Sequence, residues 1–323
     1  MTNPAEPLIG ALLIQLCFAF ILYGMTVLQT FYYYQKYSTD KRTLKYLVGA
    51  VWFLETSHTG FAMQILYAYL VAGFGNYENL ENVTWGVGGT AICGVGVAVC
   101  VHGYYTWRIW IVSGNSKLWT LVIGTFALAR ISFGTGTFVQ SYIYPQWALL
   151  RSTTSTFVTF IGQSVAAALV DMLVAVCLSL YLTRNKRFWN KGSEGMVNRI
   201  LLYAVNTGAI TGVVSLSCVV LFLVPNTGAA FFGMAMIQTK LYSNSLLGSL
   251  NARSHMRNKG SQPIRYSSSF GSVGTNGLRV AAPRLPVIGI FQQTTVHYDE
   301  NDGQYIQRDE YALQPTDKGG ELA

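Results

Sequence analysis

The chain has 323 residues, 51% of them hydrophobic and only 11% charged, with a formal net charge of +8. Soluble domains carry about a quarter of their residues as charged side chains, so this composition excludes an ordinary soluble protein. The basic residues sit beside apolar runs rather than on one polar face, which excludes a nucleic-acid-binding surface.

Residues 1–7 form a short N-terminal segment with Glu6 and no Lys or Arg, unlike the basic leader of a signal peptide. The apolar run that follows is therefore expected to be a retained membrane helix. A hydrocarbon core of ~30 Å needs about 20 apolar residues at 1.5 Å each. Seven stretches meet that length, at roughly 8–33, 47–73, 86–110, 118–140, 158–182, 200–223 and 229–250. The fourth is interrupted by Arg130 and by Gly134-Thr135-Gly136. All five cysteines lie within these runs, as small buried hydrophobes rather than an external disulfide framework. Gly86, Gly88, Gly89, Gly94 and Gly96 in the third stretch, and Gly208-x-x-x-Gly212 in the sixth, allow close helix approach.

The fold class expected is an all-α membrane protein: a seven-transmembrane helix bundle over 8–250, with a cytosolic tail over 251–323. Lys and Arg set its orientation. Segments 35–45, 108–117 and 183–199 carry eleven of them, while the N-terminus and segments 74–84, 141–156 and 224–228 carry one, Arg151. The positive-inside rule then places the N-terminus outside and the C-terminus in the cytosol. Asn82-Val83-Thr84 agrees, because this glycosylation sequon falls in the first outer loop. Rich in Ser, Gly, Asn and Gln, the tail is expected to be largely disordered. Val287-Ile288-Gly289-Ile290-Phe291 is its one apolar patch, suited to a short strand or a docking segment. Arg253, His255, Arg257 and Lys259 suit an anionic lipid surface.

The informative residues are ionisable groups inside apolar stretches: Glu55, His58, His102, Arg130, Asp171 and Lys240. Each charge at mid-bilayer costs ~2.5–3.5 kcal/mol on insertion scales, so these groups must meet one another, a cavity or water. Glu55, His58, Arg130, Asp171 and Lys240 count to about 9–12 residues from the cytosolic boundary, or ~14–18 Å, with His102 closer to the cytosol. They are expected to form one polar network, with Lys240 paired to Glu55 or Asp171. Such a network either locks helix packing or serves a function. A retinal Schiff base on Lys240, or a zinc set of His58, His102 and Asp171, would need further ligands or a counter-ion in place. No catalytic residue, metal or cofactor is assigned.

Several motifs together carry a resemblance. They are Leu22-Tyr23-Gly24, Gln29-Thr30-Phe31-Tyr32-Tyr33-Tyr34, Asp40, Trp52-Phe53-Leu54-Glu55-Thr56-Ser57-His58, Trp107-Arg108-Ile109-Trp110, Asn206-Thr207-Gly208 and Tyr242 through Arg253. Over roughly 8–257 the chain resembles a group of seven-pass membrane proteins of basidiomycete fungi. About 165–257 resembles that group's C-terminal domain of unknown function, with Tyr242, Asn244, Ser245, Asn251 and Arg253 in its closing motif. Gly248 and Glu55 stand where the group's pattern has alanine and aspartate. The resemblance implies a fungal integral membrane protein in the plasma membrane or an endomembrane, and brings no established activity. The expected partners are the lipid bilayer, a small ligand of unspecified chemistry and a cytosolic protein met through the tail. The expected function is that of a receptor-like sensor or binding protein. The alternative is a small-molecule or ion transporter or channel that uses the charged network.

Overall fold

The structure is a computed structural model that describes residues 9–184, 194–225, 227–253, 293–298 and 305–310. For 182–184, 194–207 and the last two segments the description is of backbone alone. The chain divides into two units, 1–264 and 265–323.

In the first unit every long apolar stretch becomes a helix, because a backbone in hydrocarbon must satisfy its own hydrogen bonds. The helices are α1 (Ala11–Lys36), α2 (Arg42–Tyr67), α3 (Trp85–Val112), α4 (Lys117–Ile143), the short α5 (Trp147–Ser152), α6 (Thr154–Arg184), α7 (Glu194–Leu223) and α8 (Ala230–Asn251). Among the described residues four are long and apolar enough to cross a membrane: α1, α3, α4 and the Thr154–Tyr181 part of α6. These mark a multi-pass membrane protein. In α7 the described side chains begin at 208, and Gly208–Leu223 is apolar, while α2 and α8 are diluted by the polar residues described below.

The interruption expected in the fourth stretch does not occur, since α4 runs unbroken through Arg130 and both glycines. Those glycines make room for neighbours. A Cβ at Gly134 would stand 2.9 Å from Val95 of α3, and one at Gly136 would stand 2.7 Å from Thr159 of α6.

Helices α1, α2, α3, α4, α6, α7 and α8 follow one another around a closed ring, and α3 and α8 also touch across it. Fifteen of the 22 residues of α8 are buried, so this helix is surrounded rather than peripheral. The opposite extreme is α1 and α4, which turn Ile14, Phe18, Ile21, Leu28, Leu118, Leu121 and Leu128 outward. Apolar surface of that extent does not face water in soluble monomers; here it suits lipid tails.

Two apolar cores lie along the bundle. One gathers Val48, Val101, Ile109, Ile123, Val174, Leu246 and Leu250. The other gathers Leu12, Leu16, Ile65, Trp147, Phe160, Phe222 and Phe231. Polar residues of the middle turns of the helices fall between them.

Near Trp147 the loops are tied together. Val83 N–H donates to Pro145 O at 2.6 Å, and Tyr69 OH donates to Asn82 O at 2.7 Å. Arg151 caps α7, donating from Nε to Phe222 O at 3.0 Å and from Nη1 to Thr227 Oγ1 at 3.0 Å, with Nη2 on Phe222 O at 2.8 Å. Burial pushes its guanidinium below the ordinary arginine value, yet a cation at a helix C-terminus is favoured by the helix dipole. Arg151→Met should cost roughly 1–3 kcal/mol by stranding these carbonyls, read as a lower midpoint of thermal unfolding in detergent. Arg151→Lys should recover only part, since one ammonium cannot span the fork's contacts.

In the second unit, β1 (Gln293–Tyr298) pairs antiparallel with β2 (Tyr305–Glu310), placing Gln293 opposite Glu310 and Tyr298 opposite Tyr305. Beyond Arg253, this hairpin is the part of the tail that the structure describes. The patch at 287–291 expected to supply a strand lies outside the described residues, as do His255, Arg257 and Lys259.

Candidate functional site

The polar layer is built around α8, whose residues reach in opposite directions. Lys240, Ser243 and Asn244 face α1 and α2. Gln238, Tyr242 and Ser245 meet residues of α3, α6 and α7.

On the first side, Lys240 Nζ donates to Glu55 Oε2 at 2.6 Å, to Thr59 Oγ1 at 2.7 Å and to Glu55 O at 3.2 Å. Its three N–H donors are thus all engaged. The other Glu55 oxygen accepts from Ser243 Oγ, and Tyr23 lays its ring 5.1 Å from the ammonium. Both members of the pair are fully buried. Three and four residues along α8 from Lys240, Ser243 and Asn244 fall on the same helix face. Asn244 Nδ2 donates to Leu22 O at 2.9 Å and to Thr26 Oγ1 at 3.0 Å.

On the second side, Tyr242 OH donates to Asp171 Oδ2 at 2.6 Å, and Thr211 also hydrogen-bonds Asp171. The Arg130 guanidinium lies 4.3 Å over the Tyr242 ring, and its Nη1 meets His102 Nε2. Gln238 Nε2 donates to Ser215 Oγ at 2.5 Å, and Tyr105 shares a 3.1 Å hydrogen bond with Ser245. A space of about 20 Å³ touches Asp171, Thr211, Tyr242 and Ser245, room for one water among polar partners.

The five residues expected in one network therefore divide. Glu55 and Lys240 form one group, and Arg130 and Asp171 belong to another in which Tyr242 stands between them. Lys240 takes Glu55, not Asp171. His102, expected nearer the cytosol, is in contact with Arg130. The reason is that α3 continues to Val112, which puts His102 about ten residues, or ~15 Å, from the helix end.

His58 joins neither group. It is 2% exposed and its Nδ1 has no hydrogen-bond partner. It lines a cavity of about 90 Å³ shared with Arg130, Gln163, Gln238, Phe160 and Met236. Among the described residues no three His, Cys, Asp or Glu stand close enough to hold a metal, so His58, His102 and Asp171 do not make the zinc set considered from sequence. Lys240 does have a carboxylate beside it in Glu55, but all three of its N–H donors are taken by protein groups.

The closing motif stitches α8 to its neighbours. Tyr242, Asn244 and Ser245 act as above, and Asn251 Nδ2 donates to Gln29 O at 2.9 Å. Just beyond α8, Arg253 Nη2 donates to Asp40 Oδ2 at 2.6 Å and stacks 4.7 Å over Tyr37. Burial works against its charge, but Asp40 outweighs that and raises the guanidinium above its ordinary value. Tyr33 OH donates to the same Asp40 oxygen at 3.0 Å. An Arg253→Ala, Asp40→Ala double-mutant cycle should show coupling of about 1 kcal/mol, as befits a half-exposed pair, measured by thermal unfolding at low salt.

Residues 167–255 match a family of unknown function, DUF6534. No curated protein and no solved structure matches the chain. The matched span holds Asp171, Thr211, Gln238, Lys240 and the motif through Arg253, while Glu55, His58, His102 and Arg130 come from helices before it. The polar layer is thus assembled across the boundary of the matched region.

The residues sequence reasoning did not single out are Thr59, Ser243, Gln238, Ser215 and Thr211. The four hydroxyl residues carry little insertion cost, and Gln238, though it lowers the hydropathy of α8, carries no charge that would name a partner. Ser243 had one cue, its position three residues after Lys240 on the same helix face.

Proposed function

We propose that this chain is a seven-helix membrane protein with its N-terminus outside, of the fungal seven-pass group it resembles, and that it acts as a receptor-like binding protein for a small molecule. Supporting the seven passes, α2, α7 and α8 have the length of a span and close the same ring as the four apolar helices. The charges of α2 and α8, Glu55 and Lys240, point into the bundle, where intramembrane charges are tolerated. The lone outer-loop cation, Arg151, serves as a helix cap, which leaves the basic excess in the opposite loops. Asn82 is exposed, as glycan attachment in an outer loop requires.

The observation that carries the reading is the cavity beside His58 and Arg130. It holds polar groups in excess of those the helices need for each other. A buried imidazole nitrogen without a partner costs free energy, and a ligand would remove that cost. Binding deep in the bundle would reach the cytosolic tail through α8, which Arg253 and Asp40 clamp to the α1–α2 turn. The test is ligand-dependent recruitment of a cytosolic protein to the full-length chain in membranes. A broad ligand screen that stabilises nothing and recovers no partner would overturn the reading.

A transporter or channel is the second reading, favoured by the shared level of Lys240, Glu55, Arg130 and Asp171. Proteoliposomes separate the two: flux or current that changes with Asp171→Asn supports transport, and its absence beside ligand-driven recruitment supports the receptor.

A further inference from the structure

We propose that the cavity walled by α2, α3, α4, α6 and α8 binds a short-chain monocarboxylate, with Arg130 as its counter-charge. The inference rests on the reading of the bundle as a small-molecule binder and names the ligand's chemistry.

The first support is charge. Among the described residues two ion pairs occur, Lys240 with Glu55 and Arg253 with Asp40. Arg130 is in neither. Its guanidinium touches an imidazole and an aromatic face, and most of its five N–H donors remain beyond those contacts. The two buried acids are already committed: Glu55 to Lys240 and Ser243, Asp171 to Tyr242 and Thr211. Asp171 acts on Arg130 only through space, with Tyr242 between them, so the guanidinium has no carboxylate in direct contact, and its planar fork fits one with two parallel hydrogen bonds.

The second support is independent of Arg130. His58 lines the same cavity, buried, with Nδ1 unpartnered. That nitrogen has essentially no accessible surface, so the imidazole meets an anion in the cavity only after turning its ring, and Lys240 lies near it as a further positive charge. The wall hydroxyls add few donors, since Ser164 Oγ donates to Phe160 O at 2.9 Å and Thr90 Oγ1 to Val87 O at 2.8 Å. Arg130 and the Gln163 amide are therefore the donors left among the lining residues, and a ligand that accepts hydrogen bonds suits them.

The third support is size and lining. The space of about 90 Å³ is smaller than the ~150 Å³ cavity that encloses benzene, which limits the ligand to about four or five non-hydrogen atoms. Val95, Ala98, Ile131, Ala167 and Met236 make the rest of the wall apolar. A carboxylate head with a one- to three-carbon tail fits both halves; a bare inorganic anion would leave the apolar half empty.

The test uses the purified full-length chain in nanodiscs, titrated with sodium propionate against sodium chloride at equal ionic strength. Binding is read by the shift in thermal unfolding and by line broadening of ¹³C-labelled propionate. Saturable stabilisation by acetate and propionate, absent with chloride and with octanoate, is the expected result. Arg130→Gln should weaken propionate roughly ten- to a hundred-fold, the range of a lost charge-assisted hydrogen bond. Because Arg130→Gln could fold poorly, Ala167→Leu provides a second variant that fills the space and keeps the charge; it too should abolish binding. Equal stabilisation by chloride, or folded Arg130→Gln retaining full affinity, would overturn the carboxylate assignment. Propionamide binding where propionate does not would also overturn it, while leaving the small-molecule reading intact. If neither binds, both fall.

Discussion

Lys240→Met should destabilise the protein by roughly 3–5 kcal/mol, the cost of stranding a buried charge whose partner has been removed. The stranded group is Glu55, which is fully buried and held at 2.6 Å by the lysine. Ser243 and the remaining hydroxyls cannot neutralise it. Adding Glu55→Leu to Lys240→Met should restore most of the loss, because two apolar side chains of similar volume replace an ion pair at little net cost. Reversible unfolding in mixed micelles measures both. If the single variant unfolds like the parent, the pair is not holding α2 to α8 as its geometry says. The double variant also separates structure from function: restored stability with lost signalling or transport would assign the pair a role beyond packing.

The second large effect is expected at Gly86, the first turn of α3. A Cβ there would stand 2.2 Å from Gln64 Oε1 and 2.8 Å from the Phe61 carbonyl oxygen. Gln64 could swing aside, although its Oε1 now accepts from Gly86 N–H at 3.1 Å. The backbone oxygen cannot move without shifting α2. Gly86→Val should therefore cost about 3 kcal/mol, at the upper end for overpacking. Gly103, on the same helix, has nothing within 4 Å of its Cβ position, and Gly103→Ala should be neutral or slightly stabilising in the same assay, alanine being the better helix former. A similar loss at both positions would mean that the close approach to α2 is not what sets the cost at Gly86.

Much of this arrangement can be read from the residues. The long helices, the burial of α8 and the pairing of Lys240 with an acid all follow from one cost, that of polar groups in hydrocarbon, whereas the single network expected does not form. Lys240 had to find an acid, and only Glu55 and Asp171 were at its depth. Which of the two it took was not legible, because that depends on how α8 is rotated, and every face of α8 carries polar residues. Its hydropathy pattern thus gives no preferred direction. The His102 contact was missed for a simpler reason. The turn after α3 is made by Gly114 and Asn115, both at positive φ, and placing the helix end there rather than at the basic Arg108 would have brought His102 level with Arg130. The cavity could not be foreseen, since it arises from the fit of five helices rather than from any one of them. Gly208 and Gly212 show the same limit. A Cβ at Gly208 would press on Ala175 at 3.2 Å, whereas Gly212 has nothing within 4 Å, so only half of that motif serves helix contact.

The separation of Glu55 and Lys240 along the chain, 185 residues, has a consequence for biogenesis. At synthesis rates of ~5–20 residues per second, the acid emerges from the ribosome roughly 10–40 seconds before its lysine exists. During that interval α2 offers an unneutralised carboxylate to the translocon or to a chaperone, which must shelter it. The ring closes only when the last helix arrives, so a nascent chain cut short before α8 exposes its own defect to the proteases that survey the membrane.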